Sequence, residues 1–202
     1  MPVENEFEIL ISSFISEKVG IANHFLSDEL TENLKQNLLG LLEKNQLVKA
    51  GIGNDNKLLF DDSVRNDSIY WLDRKHDNEH ENDFLDQIDD FIKYLNRSCF
   101  AGITGYEFHY SLYEIGGFYK KHIDQFQDNS NRKYSMISYL NDDWQKSDGG
   151  ELVVYQTYNN KHITPTQGKT VLFKSNELQH EVLVTRKQRM SITGWLKRDG
   201  LV

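Results

Sequence analysis

Gly116-Gly117-Phe118-Tyr119-Lys120-Lys121-His122-Ile123-Asp124 reads as a glycine turn feeding an extended segment. Alternate residues of a strand face the same side, so His122 and Asp124 point together. The period of two continues on both sides of this stretch. From Tyr106 onward, β-branched and aromatic residues recur in short runs broken by Gly, Asn-Asp and Pro. Runs near 105–114, 118–124, 134–141, 151–156, 161–164, 169–174, 180–185 and 189–196 make about eight strands. Eight short strands fit a two-sheet jelly roll or a barrel, so the C-terminal half is expected to be all β.

Upstream the period becomes helical. Residues 28–43 put Leu30, Leu34, Leu38, Leu41 and Leu42 on one stripe, with Ser27 as N-cap and Asp28 and Glu29 in the first turn. Phe7, Leu10, Ile11 and Phe14 mark a shorter helix before it, and Ile21 to Leu26 a strand leading in. A third helix runs from about Asn82 to about Arg97 through Phe84, Leu85, Ile88, Phe91, Ile92 and Leu95. Gly51 to Asp67, with Gly, Asn and Asp clustered around Leu58-Leu59-Phe60, reads as a lid loop whose apolar tip either caps a bound peptide or packs beneath. Asp73 to Asp83 is almost wholly charged and reads as a solvated turn. Helices gathered on the N-terminal side brace one sheet, which makes an α+β domain. The expected organisation is one domain over 1–202. Residues 1–100 give helical support with the lid at 51–67, and 101–202 give the β core.

A chain of 202 residues with 38% hydrophobic and 12% aromatic residues is long and apolar enough for one substantial core. It has no run of 18 apolar residues, so no membrane span is expected. The acidic start Met1-Pro2-Val3-Glu4 lacks the pattern of a secretory signal. Cys99 is the single cysteine, which suits a reducing, cytoplasmic setting. A net charge of −8 argues against nucleic-acid partners, whose binding rests on many Lys and Arg contacts.

A His-x-Asp tripeptide carries little alone: with 7 His and 17 Asp in 202 residues, chance supplies roughly 0.6 of them. Its surroundings add weight. His180 follows the apolar run Val171-Leu172-Phe173 and precedes Val182-Leu183-Val184, and Arg189 opens the run Ser191-Ile192-Thr193-Gly194-Trp195. Two histidines and one carboxylate on one face of a ferrous ion leave three positions open, the arrangement of non-haem iron oxygenases. Arg189 suits a dicarboxylate co-substrate, because a guanidinium grips a carboxylate through two parallel hydrogen bonds.

Tyr139-Leu140-Asn141-Asp142-Asp143-Trp144 and Gly149-Gly150-Glu151-Leu152, taken with these residues, resemble the prolyl hydroxylase branch of the 2-oxoglutarate and iron(II)-dependent dioxygenases. The likeness is greatest to the hypoxia-inducible-factor prolyl hydroxylases and their bacterial relatives, and extends from about Arg65 to Trp195. It implies a double-stranded β-helix core with Fe(II) held by His122, Asp124 and His180. It also implies 2-oxoglutarate held by Arg189 and Tyr139, with Tyr113 and Thr193 nearby. Arg65, Asp67, Tyr119 and Trp195 fall on positions near the substrate. The implied reaction consumes 2-oxoglutarate and O2, releases succinate and CO2, and hydroxylates a prolyl residue of a protein or peptide. Ascorbate stimulation, a monomer or weak dimer, and a part in oxygen sensing belong to the same expectation. The Tyr113 to His122 spacing is one residue shorter than in the animal members.

Two other readings keep the metal. Oxidative nucleobase demethylases carry a second arginine six residues beyond the co-substrate arginine, where this chain has Trp195. A metal-bound sensor without turnover is the third. Elsewhere, His76 and His80, four apart, have a spacing that would suit a second metal on a helix but are expected in a solvated loop; His109, in register with Tyr113, either lines the barrel interior or, as expected, is a hydrogen-bonded core residue; Cys99 is expected as a buried small apolar residue.

Overall fold

The computed structural model describes residues 2–53, 59–124 and 131–198. Helix α1 (Pro2–Glu17) leads into strand β1 (Val19–Ala22), and α2 (Asp28–Glu43) into the short β2 (Val48–Lys49). Strand β3 (Ser68–Trp71) and helix α3 (Glu79–Cys99) complete the N-terminal half. Eight strands follow: β4 (Gly105–Tyr113), β5 (Tyr119–His122), β6 (Arg132–Tyr139), β7 (Leu152–Val154), β8 (Lys161–Ile163), β9 (Thr170–Lys174), β10 (His180–Val182) and β11 (Arg189–Lys197). They form two antiparallel sheets, one ordered β1-β9-β6-β11-β4-β3-β2 and the other β5-β10-β7-β8. All eight strands read from the periodicity are present, and the α+β jelly roll is as expected.

The helices form where the leucine and phenylalanine stripes predict. Ser27 caps α2 by accepting a hydrogen bond from the Leu30 amide at 3.1 Å, and Thr31, Leu34, Leu38 and Leu41 are buried. The α1 helix is longer than expected, with 16 residues, and lies close against β1: a Cβ on Gly20 would sit 2.4 Å from the Leu10 carbonyl oxygen. Phe7, Leu10, Leu34, Phe84, Ile88 and Phe91 then bury one face of the larger sheet, on Phe108, Tyr110, Leu112, Met136, Ile192 and Leu196. The other face of that sheet meets the smaller sheet over Ile137, Leu152, Val154, Val171, Phe173 and Val182.

Several details differ from expectation. The lead-in strand is Val19–Ala22 rather than Ile21 to Leu26, because Val19 pairs with Phe173 and residues beyond Ala22 bend away. Two more strands, β2 and β3, extend the larger sheet at the β4 edge. Helix α3 begins at Glu79, not near Asn82: the Asn78 side chain caps it, and Glu81 is buried against the Asn37 amide and His76 Nδ1. The charged stretch 73–83 is therefore a 3-10 turn over Arg74–His76 and a helix start, with His76 and His80 placed on them rather than in a loop. Cys99 ends α3 facing solvent, not the core. In the expected lid, Leu58 lies outside the described residues, while Leu59 and Phe60 are exposed rather than packed beneath the loop.

Candidate metal centre and its cavity

Register brings the distant residues together. On β11, the centre of the larger sheet, Arg189, Ser191, Thr193 and Trp195 alternate toward the smaller sheet, while Met190, Ile192 and Leu196 face the helices. Tyr113 pairs with Arg189, and Tyr139 with Ser191, so both tyrosines flank the arginine. In the smaller sheet His180 of β10 pairs with His122 of β5, which places two imidazoles side by side, and Asp124 lies two residues past the end of β5.

His122, Asp124 and His180 each offer a ligand atom, all within 4.8 Å of one another. Asp124 Oδ1 is 3.3 Å from His122 Nε2 and 3.5 Å from His180 Nε2. The remaining polar atoms are already engaged. His122 Nδ1 lies 2.7 Å from the Lys120 carbonyl oxygen and His180 Nδ1 lies 3.2 Å from that of Leu178. A carbonyl can only accept, so each ring carries its proton on Nδ1 and turns an Nε2 lone pair inward. Asp124 Oδ2 accepts from the Ser135 hydroxyl at 2.6 Å, which leaves Oδ1 for a cation. This is the outer layer of hydrogen bonds that metal ligands need, and the donor set fits a ferrous ion.

Electrostatics agree with a cation site. Burial opposes ionisation of Asp124, but the adjoining His180 and His122 hold its carboxyl well below the usual range. Burial also works against charge on His180, yet Asp124 prevails and raises it; His122 is lowered by burial and by His180.

Above this centre opens a cavity of about 560 Å³ lined by all three residues and by Arg189, Tyr113, Thr193, Trp195, Tyr119 and Arg65. Arg189 is only 1% exposed. Its Nε donates to the Gly150 carbonyl at 2.9 Å, Nη1 reaches Ser191 Oγ at 3.5 Å, and its guanidinium lies 5.1 Å from the ring centres of both Tyr113 and Tyr139. Gly150, at φ +63°, admits this side chain, since a Cβ there would stand 3.2 Å from Arg189 Cδ. Among the described residues no carboxylate pairs with Arg189. The Tyr139 hydroxyl is likewise buried without a partner, its pKa pushed up to about 12 by burial against the opposing Arg189 charge. A buried cation without a counter-charge and an unused hydroxyl beside it make a receptor for an anion.

The substrate-side residues divide. Tyr119, Trp195 and Arg65 line the cavity, whereas Asp67 is fully buried behind Arg65 and bound to it, so it reaches the cavity only through that arginine. Asp67, expected on the substrate side with Arg65, is therefore corrected to a residue one side chain back from the cavity. His109 is the hydrogen-bonded core histidine expected, and it also lines the cavity beside Trp71 and Trp195. Burial drops its pKa to about 4. Trp71 ends the segment Arg65 to Trp71 that the resemblance places at the substrate entrance, and it lines the cavity, whereas Ser135 and Arg132 carried no signal as site residues. Arg132 stacks 3.5 Å over Trp195 and pairs with Glu107. Counting back by twos from Tyr139 would have reached Ser135.

Residues 108–197 match the family model described as the 2OG-Fe(II) oxygenase superfamily. A Pseudomonas putida prolyl-4-hydroxylase structure aligns with TM-score 0.86 and 29% identity, over 96% of this chain and 100% of that one. A prolyl hydroxylase from Trichoplax adhaerens, in complex with a hypoxia inducible factor oxygen degradation domain peptide fragment, aligns with TM-score 0.87 and 23% identity, over 97% and 90%. A viral collagen prolyl hydroxylase from Paramecium Bursaria Chlorella virus-1 aligns with TM-score 0.62 and 18% identity, over 92% and 98%. Among the described residues, no helix is long and apolar enough to cross a membrane.

Proposed function

We propose that this chain, whose residues 108–197 match the 2OG-Fe(II) oxygenase superfamily model, is an oxygenase that uses Fe(II), 2-oxoglutarate and O2 to hydroxylate a prolyl residue of a protein or peptide. The observation that carries this reading is the likeness to a bacterial prolyl-4-hydroxylase along nearly the whole length of both chains. The open cavity, with Trp71, Phe60 and Ile123 exposed along its lining, offers apolar surface to a chain that threads past the metal.

His122, Asp124 and His180 hold the iron in this reading. Arg189 grips the distal carboxylate of 2-oxoglutarate, and the Tyr139 hydroxyl donates to the same group, which fills both vacancies described above. Tyr113 and Thr193 wall the co-substrate, while Tyr119, Trp195 and Arg65 stand on the substrate side. When bound, iron and 2-oxoglutarate supply the oxidation: one atom of O2 enters succinate as CO2 leaves, and the other enters the substrate C–H bond as hydroxyl. The residues themselves orient and shield. Burial keeps His109 neutral, so this imidazole does not compete with Arg189 for the diacid.

The test is incubation with Fe(II), 2-oxoglutarate, O2, ascorbate and a library of proline-containing peptides, read by mass spectrometry and succinate assay. Expected is succinate release that depends on peptide, with one oxygen added on proline. Oxygen on another side chain, or succinate with no peptide product, removes the prolyl assignment.

A further inference from the structure

Along the cavity wall three side chains, Arg65, Tyr119 and the ligating candidate His122, lie in a stack. Arg65 Nε and Nη2 donate to the two oxygens of Asp67 at 2.8 and 2.7 Å, and Nη1 donates to the Gly51 carbonyl at 3.3 Å. Its guanidinium carbon stands 4.2 Å from the centre of the Tyr119 ring. That ring lies on the imidazole of His122, with centroids 3.6 Å apart and planes 14° from parallel. The backbones are joined as well: Arg65 and Tyr119 form an antiparallel bridge, Lys120 N donates to the Val64 carbonyl at 2.9 Å, and Phe118 N donates to Asn66 Oδ1 at 2.9 Å.

The stack answers a need that hydrogen bonding leaves open. The Lys120 carbonyl fixes His122 in the plane of its ring but does not stop rotation about that contact. A face-to-face neighbour does, and Tyr119 is that neighbour. Tyr119 is in turn pressed by a guanidinium that cannot drift, because a fully buried carboxylate holds it at two points. The arrangement also accounts for Asp67, whose burial excludes contact with substrate.

We propose that Arg65, locked by Asp67, is a positioning residue that acts on the metal through Tyr119 and His122, in addition to lining the substrate side of the cavity. The proposal rests on the reading of His122, Asp124 and His180 as the metal site. It is independent of which substrate is hydroxylated.

Cobalt(II) is the probe, because its visible absorption reports ligand geometry without turnover. The wild type and the variants Tyr119→Phe, Tyr119→Leu and the neutral pair Arg65→Gln with Asp67→Asn are loaded with Co(II). Band position and the rate of metal loss to a chelator are then read. Tyr119→Phe keeps the ring and is expected to match the wild type. Tyr119→Leu keeps the Arg65–Asp67 pair, and so the fold, but removes the stack. It is expected to shift the band and speed metal loss about tenfold, the usual size of an outer-layer effect, and the neutral pair is expected to follow it. An unshifted band and unchanged metal loss in folded Tyr119→Leu overturn the proposal, as does a variant whose only defect is a raised KM for peptide. If the wild type takes up no more Co(II) than His122→Ala, the metal-site reading itself has failed, and the proposal falls with it.

Discussion

The two sheets that enclose the cavity are built to different standards. On the larger sheet β4, β6 and β11 run for 9, 8 and 9 residues and are packed on both faces, with the helical core on one side. The smaller sheet has strands of 4, 3, 3 and 3 residues. Yet the short strands carry all three metal-ligating candidates, one of them beyond a strand end, while the long ones carry Arg189 and Tyr139. Anchoring an organic diacid over several ångströms calls for a rigid, extended wall. Holding a cation calls for three atoms in one small volume, and local contacts to carbonyls, a serine and a stacked ring suffice.

The contrast predicts that damage to the short strands appears at the metal and damage to the long ones at the diacid, except at Ser135 of β6, whose hydroxyl crosses to Asp124. The largest effect is expected from His180→Ala, with metal uptake lost and turnover down by more than about 100-fold; tight iron binding by this variant in anaerobic titration would break the comparison. Next is Arg189→Lys, which cannot reproduce the paired grip. It should raise the KM for 2-oxoglutarate by about 30-fold or more, roughly 2 kcal/mol or above for a buried charge partner, and leave Co(II) uptake intact.

A pH titration probes the larger sheet alone. His109 has a folded pKa of about 4 against an ordinary 6.5. Between these values the unfolded chain binds the proton and the folded one does not. Stability from this group is therefore complete above pH 6.5 and falls as pH drops toward 4, by about 3 kcal/mol at most, each pKa unit being roughly 1.4 kcal/mol. Urea unfolding of His109→Gln should show a shallower acid slope than the wild type over that window. An identical slope would mean the imidazole is not desolvated as described. The smallest effect is set for Ser135→Ala, a residue of the larger sheet that reaches across to Asp124. Metal affinity should fall about tenfold with co-substrate KM unchanged, and a metal affinity equal to wild type would show that Asp124 needs no support from across the cavity.

The same contrast explains what could be read from the sequence. Long strands and helices announce themselves, since nine alternating residues or sixteen at helical spacing outweigh local exceptions. That is why β4, β11 and α2 fall where expected. Single-bridge and two-residue elements carry no period, so β2 was invisible, and the α3 start was hidden by Glu79 and Glu81, whose charges suggest solvent until Asn37 and His76 are known to meet Glu81. For the site, residue type and order revealed the ligating candidates and the arginine. What they could not reveal was mediation: that Asp67 lies behind Arg65, that Ser135 supports Asp124, and that Tyr119 lies flat on His122. Those depend on which surfaces come together in space.

In the proposed reading, Arg189 gives the molecule a thermal character as well as a binding one. A guanidinium buried between two tyrosine rings, with a carbonyl and a hydroxyl as polar neighbours and no carboxylate among the described residues, is an unfinished piece of the interior, and in the proposed reading the diacid completes it as a missing part of the core. Such a metabolite, at a hundred times its Kd, adds about 2.7 kcal/mol to the folded state. Thermal unfolding is thus expected at a higher temperature as the 2-oxoglutarate concentration rises.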